Sequence, residues 1–116
     1  MIENLTKKIK ISENEVYLTN ILQKTRGVLF RRKIKEPYVF EFNPPTKENA
    51  IHMFFVFYPL TIVWLNKEGV VVKKTLAEPF GVYSHKGFVK TIIEMPKSFF
   101  DKIEEGDYIS FTKNKH

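Results

Sequence analysis

One stretch of the sequence, from Ile51 to Leu65, is apolar almost throughout and constrains the fold more than any other feature. It has about 15 residues and falls short of the ~20 that a helix needs to span a bilayer. Its Phe, Val, Ile and Trp residues favour β-strands, and the lack of polar alternation indicates that both faces are covered. We predict two strands, over residues 51–57 and 60–65, with a bend or bulge at Pro59.

The length and composition of the chain allow a hydrophobic core that needs neither metal nor disulfide. Its 116 residues are 43% hydrophobic and 15% aromatic, which is too apolar for a disordered chain. The chain contains no cysteine, which excludes a disulfide framework, a thiolate zinc site and a cysteine nucleophile. We predict a single domain over residues 1–116, with a core over about residues 8–111, a polar tail at 112–116 and no cofactor.

Strand patterns and turn signals alternate along the rest of the chain. Residues 43–49 are predicted to form a loop, because the paired Pro44 and Pro45 cannot join a β-ladder or a helix interior. A second loop is predicted over residues 78–87, where proline and glycine recur. The remaining strands are predicted at residues 8–11, 38–42, 70–76, 89–95 and 108–111.

Two short helices complete the prediction. Apolar residues at helical spacing that end before Gly27, a residue typical of a helix C-terminus, indicate a helix over residues 19–26. Pro96 opens a second short helix, which ends at Gly106. These elements predict an α+β fold: a small, mainly antiparallel, twisted or barrel-like sheet of six to seven short strands with two short helices.

Three stretches of the sequence carry a resemblance to a known family. They are the glycine–hydrophobic–Phe-Arg run at 27–31, the aromatic strand pair at 51–65 with its return at 69–71, and the closing segments 92–96 and 106–111. In this order they resemble the domain of unknown function 192 family, a widespread prokaryotic group, over residues 15–111. The resemblance implies a small α+β fold with a curved sheet and brings no established activity.

The chain also departs from that family's pattern. Many bacterial members carry a Phe-Trp-Met-Lys-Asn-Thr stretch and an aspartate after the Pro-Leu, where this chain has residues 51–56 and Thr61. If those polar groups form a site in the relatives, this chain lacks it. Many bacterial members resemble exported proteins, whereas residues 1–10 here contain no apolar run. The chain is more similar to the cytosolic archaeal form, so we predict a cytoplasmic location and no membrane insertion.

The charge of the chain suggests an anionic partner. Lys and Arg total 19 against 13 Asp and Glu, a formal net charge of +6. A run of Lys and Arg residues with no acid among them could neutralise the phosphates of a nucleic acid, whose bases could stack on Tyr38, Tyr83 or Phe88. The same run could instead bind an acidic protein. The same cations also suit a solvated surface at a helix C-terminus. The candidate polyanion-binding residues are Lys24, Arg26, Arg31, Arg32, Lys33 and Lys35.

Two further side chains, His52 and Glu94, are candidates for a pocket. His52 lies in an apolar strand and could shuttle a proton or bind a ligand, although no other His stands at ligand spacing, which favours a structural role. Glu94 lies in a strand, on the face opposite Ile93. It could act as a general base if burial raised its pKa, pair with an arginine, or face water.

Motifs for catalysis, phosphate binding or metal binding are absent from the sequence. All five glycines are isolated, no serine lies in a nucleophile elbow, and the carboxylates around Gly106 lack the spacing of a calcium loop. The chain is therefore predicted to be a non-catalytic binding or interaction module, for a polyanion or for a protein held by its aromatic surface. The alternative is a small enzyme or ligand carrier with a pocket near His52 and Glu94.

Overall fold

Strands dominate residues 1–18, 33–53 and 56–113, the parts of the chain that this computed structural model describes. A 3-10 helix, Lys97–Lys102, follows the ninth strand. No helix in these parts is long and apolar enough to cross a membrane. In chain order the strands are β1 (Ile2–Asn4), β2 (Ile9–Ser12), β3 (Val16–Leu18), β4 (Tyr38–Thr46), β5 (Ile51–His52), β6 (Leu60–Leu65), β7 (Val71–Ala77), β8 (Val82–Tyr83), β9 (Val89–Pro96) and β10 (Ile109–Phe111).

Among the described residues, the largest sheet has five strands in the order β3-β4-β9-β6-β7. β3 and β4 run parallel, and the other pairs in this sheet are antiparallel. All six residues of β6 are buried, because β6 has a strand on either side and packed side chains on both faces. The strand predicted over residues 60–65 is thus confirmed with its bounds.

The two faces of the central sheet bury different clusters, because successive side chains of a strand point in opposite directions. On one face Val63, Ile93 and Met95 pack in a cluster with Ile2 of β1 and Ile109 of β10. These last two belong to a second sheet of order β10-β1-β2, so this side of the domain is a sandwich of two sheets. The opposite face bears a second cluster, which includes Phe40, Ile62, Trp64, Ile92, Ile34, Met53 and Val56.

The paired prolines lie inside a strand, which corrects the loop predicted over residues 43–49. β4 continues to Thr46. Its register with β9 steps from Glu41 opposite Thr91 to Thr46 opposite Val89, so Pro44 and Pro45 fall in the irregular stretch between paired positions. No ladder N–H is required there, which is how two prolines are accommodated.

The α+β prediction is wrong for the described parts of the chain. They hold ten strands in three sheets rather than one sheet of six to seven, and a six-residue 3-10 helix replaces the second predicted helix. The first predicted helix, over residues 19–26, lies outside the described residues. The strand predicted over residues 51–57 is too long, because in its described part only β5, Ile51–His52, is strand. Strands as short as β1 and β8 carry too few residues for a local pattern, because their backbone partners are distant in sequence. The loop predicted over residues 78–87 accordingly contains β8, which pairs with β5.

Candidate functional site

Two phenylalanines form an exposed apolar surface where the loops after β5 and β7 meet. The side chains of Phe57 and Phe80 are 64% and 58% exposed, and Val82, two residues further, is 52% exposed. The two rings touch edge to face, with centroids 5.6 Å apart and an interplanar angle of 76°. We call Phe57, Phe80 and Val82 the aromatic patch. Clustered exposed apolar side chains of this kind mark interaction sites more often than isolated ones do.

Backbone hydrogen bonds hold the aromatic patch in place. The N–H of Phe80 donates to the carbonyl of Met53 at 2.7 Å, and the N–H of Met53 donates to the carbonyl of Gly81 at 2.8 Å. Phe80 has a φ of 66°, in the left-handed region that a bulky side chain rarely adopts. Such strain costs of order 1–3 kcal/mol and persists where the surroundings over-determine the conformation. The loop therefore holds the backbone of Phe80 in one conformation, with the ring exposed to solvent.

Gly81 is required by a close approach of Tyr83. A Cβ atom at Gly81 would lie 2.6 Å from the Tyr83 hydroxyl oxygen and 2.7 Å from its ring. That hydroxyl oxygen accepts a hydrogen bond from the N–H of Glu78 at 2.9 Å. The half-buried Tyr83 side chain also packs against the core. Tyr83 thus braces the loop, whereas the sequence suggested it as a stacking face.

A groove of about 460 Å³ lies on another part of the surface. One side is the proline stretch of β4 and the other is the turn between β6 and β7. The exposed Phe88, which precedes β9, completes the lining, and the Nζ atom of Lys47 lies 5.0 Å from the centroid of its ring. We call this feature the proline groove; its lining residues are Pro44, Pro45, Asn66, Lys67, Glu68 and Phe88.

A buried asparagine anchors the loop that carries Phe88. The Asn49 side chain accepts a hydrogen bond from the N–H of His85 at 2.8 Å and donates to the carbonyl of Gly87 at 3.1 Å. Its backbone carbonyl accepts the indole N–H of Trp64 at 3.0 Å. The position of Phe88 is therefore tied to the central sheet through Asn49.

The structure places His52 and Glu94 in different environments. His52 is exposed on β5 and lies opposite Val82 of the aromatic patch in the strand register. Glu94 is fully buried in β9, opposite Tyr38 of β4 on one side and Ile62 of β6 on the other. A pocket formed by His52 and Glu94 stays a prediction.

Glu94 has a further neighbour in Tyr58. Burial raises the pKa of the Tyr58 hydroxyl, the hydrogen bond from the N–H of Ile34 at 3.2 Å opposes that effect, and the charge of Glu94 adds to it. The buried carboxylate and two tyrosines, Tyr58 and Tyr38, thus lie on the same face of the sheet as Ile34 and its core cluster.

Of the predicted polyanion-binding residues, Lys33 and Lys35 lie within the described parts of the chain. Both are exposed, and the buried Ile34 lies between them, so the two lysines face away from the core. The other four lie outside the described residues, and the contiguous cationic surface stays a prediction. These four are Lys24, Arg26, Arg31 and Arg32.

The carboxylates around Gly106 stabilise a turn. Asp107 is buried and its Oδ2 atom accepts hydrogen bonds from the Asn4 side chain at 2.7 Å and from the N–H of Glu104 at 2.8 Å. Glu104 forms ion pairs with Lys74 at 3.1 Å and Lys7 at 3.4 Å. Across the three described segments, no group of three or more His, Asp or Glu side chains is arranged to hold a metal ion.

The aromatic patch is not predicted from the sequence. The apolar pattern places Phe57 in a buried strand, because an exposed Phe in an apolar run looks the same as a buried one. Phe80 does carry a signal: it stands alone between Pro79 and Gly81, where turn residues leave no strand or helix face to bury it. Pro59 likewise ends the apolar run two residues after Phe57.

Comparisons with known proteins identify relatives of the chain. The family model DUF192, described as Uncharacterized ACR, matches residues 4–111. A UPF0127 protein of Thermococcus kodakarensis is 31% identical over 108 residues, which is 90% of this chain and 65% of that protein, so the chain spans just under two thirds of its length. A UPF0127 protein of Pyrococcus furiosus is 29% identical over 115 residues, covering 95% of this chain and 97% of that one.

Two solved structures share the fold. A protein of unknown function from Novosphingobium aromaticivorans superimposes with a TM-score of 0.71 at 19% identity, over 84% of this chain and 74% of its own. A proposed transcription regulator from Sinorhizobium meliloti gives a TM-score of 0.77 at 14% identity, over 94% and 88% of the two chains. At these identities the likeness is one of fold.

Proposed function

This chain belongs to the DUF192 family, and we propose that it is a non-catalytic binding module that holds an acidic protein partner at the aromatic patch. The observation that carries this proposal is the pair of exposed, touching rings of Phe57 and Phe80, of which Phe80 stands on a loop with strained backbone. Strain of this kind is typical of ligand-holding segments. Because hydrogen bonds hold the backbone of Phe80, a partner would meet this apolar surface already in its bound conformation.

The chemistry of the patch favours a partner with apolar anchor residues. Burying a Phe side chain contributes about 1.5–3 kcal/mol, and aromatic side chains at the centre of an interface carry much of its affinity. Two adjacent rings and Val82 can accommodate one or two Leu or Phe side chains. The exposed His52, opposite Val82 in the register, supplies a polar group at the rim.

The positive net charge of the chain favours an acidic partner. At a formal charge of +6 the chain attracts acidic proteins and repels a second copy of itself. An acidic segment with apolar anchors is therefore the occupant that the patch and the charge favour together. Self-association is the competing outcome, and the experiment distinguishes it.

The test is an NMR titration of ¹⁵N-labelled protein with a synthetic peptide that carries two Leu anchors flanked by Glu, and with a matched peptide in which Lys replaces Glu. The acidic peptide is expected to shift the amides of Met53, Phe57 and residues 80–82 saturably, and at least fivefold more tightly than the basic one. Phe80→Asn and Phe57→Ser each weaken binding at least fivefold. Phe88→Asn, which removes an equally exposed ring elsewhere, leaves it unchanged.

Three results would overturn the proposal. The first is equal binding of the acidic and basic peptides, and the second is binding that survives both patch substitutions. The third is a concentration-dependent dimer, detected by sedimentation without peptide, that Phe80→Asn abolishes, because the patch would then be a contact between copies.

A second candidate partner is a polyanion bound by the segment from Lys24 to Lys35. The observation that favours it is the exposure of Lys33 and Lys35 on either side of the buried Ile34. Binding through phosphates falls steeply with salt. It should also weaken in Arg31→Ala with Arg32→Ala and stay unchanged in Phe80→Asn, so these variants separate the two candidates.

A further inference from the structure

We propose that the proline groove binds a nucleotide unit, with the base on Phe88 and the phosphate at Lys67. Its volume of about 460 Å³ falls within the ~300–1,000 Å³ typical of small-ligand sites. This site is separate from the aromatic patch: it is formed by β4, the β6–β7 turn and Phe88, none of which contributes to the patch.

Phe88 is the stacking face. Of the three rings that the sequence offered for stacking, Tyr38 and Tyr83 are half-buried and pack against the core, whereas Phe88 is 61% exposed. Bases stack on aromatic rings with little preference for sequence, since every base has a π-face. Pro44 and Pro45 extend the apolar surface beside the ring and suit the flat face of a base or the edge of a sugar.

The charges around the groove fit a phosphate and a ribose. Lys67 lines the groove, and Lys47 stands over one face of the Phe88 ring, so the base is placed on the other face; both lysines are exposed. Glu68 lines the same rim and can accept hydrogen bonds from the ribose hydroxyls, as an acidic residue does in dinucleotide-binding folds. A ligand with a ring, hydroxyl groups and a negative charge matches all three features together.

Hydrogen bonds hold both walls of the groove in place. The side-chain oxygen of Asn66 accepts hydrogen bonds from the N–H groups of Glu68 and Val70, each at 3.0 Å, and fixes the turn that carries Lys67. On the other side Asn49 fixes the loop that ends at Phe88. Binding therefore needs little rearrangement, which favours measurable affinity for a single nucleotide.

The test compares AMP, adenosine and ribose 5-phosphate as probes, with amide shifts of residues 66–68 and 88 as the readout. AMP is expected to bind saturably in the millimolar range or tighter, and more tightly than either of the other probes. Phe88→Asn weakens AMP and adenosine at least fivefold, whereas Lys67→Gln weakens AMP to the level of adenosine. Phe80→Asn changes neither the AMP nor the adenosine affinity. Failure of the groove proposal can therefore be distinguished from failure of the aromatic-patch proposal.

Three outcomes would overturn the proposal: no saturable shift at 20 mM AMP, unchanged AMP affinity in the Phe88→Asn protein, or ribose 5-phosphate binding as tightly as AMP. An adenine hexanucleotide distinguishes the two sources of the ligand. Binding at least tenfold tighter than AMP, with the same dependence on Phe88, assigns the groove to single-stranded nucleic acid. Comparable affinity assigns it to free nucleotides.

Discussion

The indole N–H of Trp64 donates to the backbone carbonyl of Asn49 at 3.0 Å, and this bond joins the centre of the main sheet to the segment that positions Phe88. The side chain of Asn49 extends the connection to His85 and Gly87. A residue between two strands thus links the core to the proline groove, which makes Asn49 the first position to test.

We expect Asn49→Ala to lower the free energy of unfolding by about 1–3 kcal/mol, because it leaves the N–H of His85 and the carbonyl of Gly87 without their partner. Urea unfolding followed by Trp64 fluorescence measures this loss. The matched control is Asn14→Ala, at an exposed turn position, where we expect a change below about 0.5 kcal/mol. Equal losses in the two variants would contradict the anchoring role of Asn49.

Phe80→Asn is expected to leave stability unchanged or to raise it by up to about 1 kcal/mol, since asparagine tolerates the left-handed backbone that Phe80 adopts and little burial is lost. The same substitution should weaken peptide binding at the aromatic patch at least fivefold. Thermal unfolding alongside the NMR titration provides both values. A loss of stability above about 2 kcal/mol would indicate that the ring serves the fold rather than a partner.

Gly81→Ala is expected to destabilise the protein by about 1–3 kcal/mol, because the added methyl group would overlap the Tyr83 side chain. Relief of that overlap must move either the loop or the Tyr83 side chain that braces it, so binding of the acidic peptide should weaken as well. Unfolding and peptide titration of one protein sample test both effects. The control combines Gly81→Ala with Tyr83→Ala, which removes the obstruction. In that protein the added methyl group should cost no stability relative to Tyr83→Ala alone.

Tyr17→Phe is expected to raise the pKa of Glu15. Burial alone raises the pKa of Glu15. Hydrogen bonds from the Met1 ammonium group at 2.5 Å and the Tyr17 hydroxyl at 2.7 Å outweigh burial and hold the pKa below its ordinary value of 4.5. A carboxylate with a depressed pKa stabilises the fold above its unfolded pKa and loses that contribution as pH falls through the folded pKa.

Removal of the Tyr17 hydroxyl should therefore move acid unfolding to higher pH. The carboxyl ¹³C shift of Glu15 and the acid midpoint provide the two readouts. Tyr108→Phe, at an exposed position, is the control and should move neither. An unchanged Glu15 titration in Tyr17→Phe would show that the tyrosine hydroxyl does not stabilise the charged carboxylate.

Affinity for a mixed-sequence oligonucleotide is expected to fall steeply between ~50 and ~200 mM salt if the segment from Lys24 to Lys35 contacts phosphates. Arg31→Ala with Arg32→Ala should weaken binding and reduce the salt slope by about 2, because each arginine would neutralise one phosphate. Filter binding or fluorescence anisotropy at four salt concentrations measures the slope. Lys8→Ala with Lys86→Ala, which removes the same charge from exposed positions, should leave it nearly unchanged.

The longer strands could be predicted from the sequence because their burial pattern is local. Residues 60–65 are apolar without interruption, and β6 has those bounds with both faces covered. The strand predicted over residues 89–95 corresponds to β9, which ends one residue later at Pro96. β6 is buried at all six residues and β9 at Val89 and residues 91–95, so in each case the local sequence pattern is enough to identify the strand.

The amino-acid sequence was therefore sufficient to establish a buried core, the two strands at its centre and the lack of cysteine chemistry. The three-sheet arrangement, the passage of β4 through Pro44 and Pro45, and the exposure of Phe57 and Phe80 emerge only when the chain is folded. This division arises because pairing and exposure depend on which distant segments pack against a residue. A phenylalanine has the same transfer free energy wherever it stands, and only its neighbours in space determine whether it is buried in the core or presented to a partner.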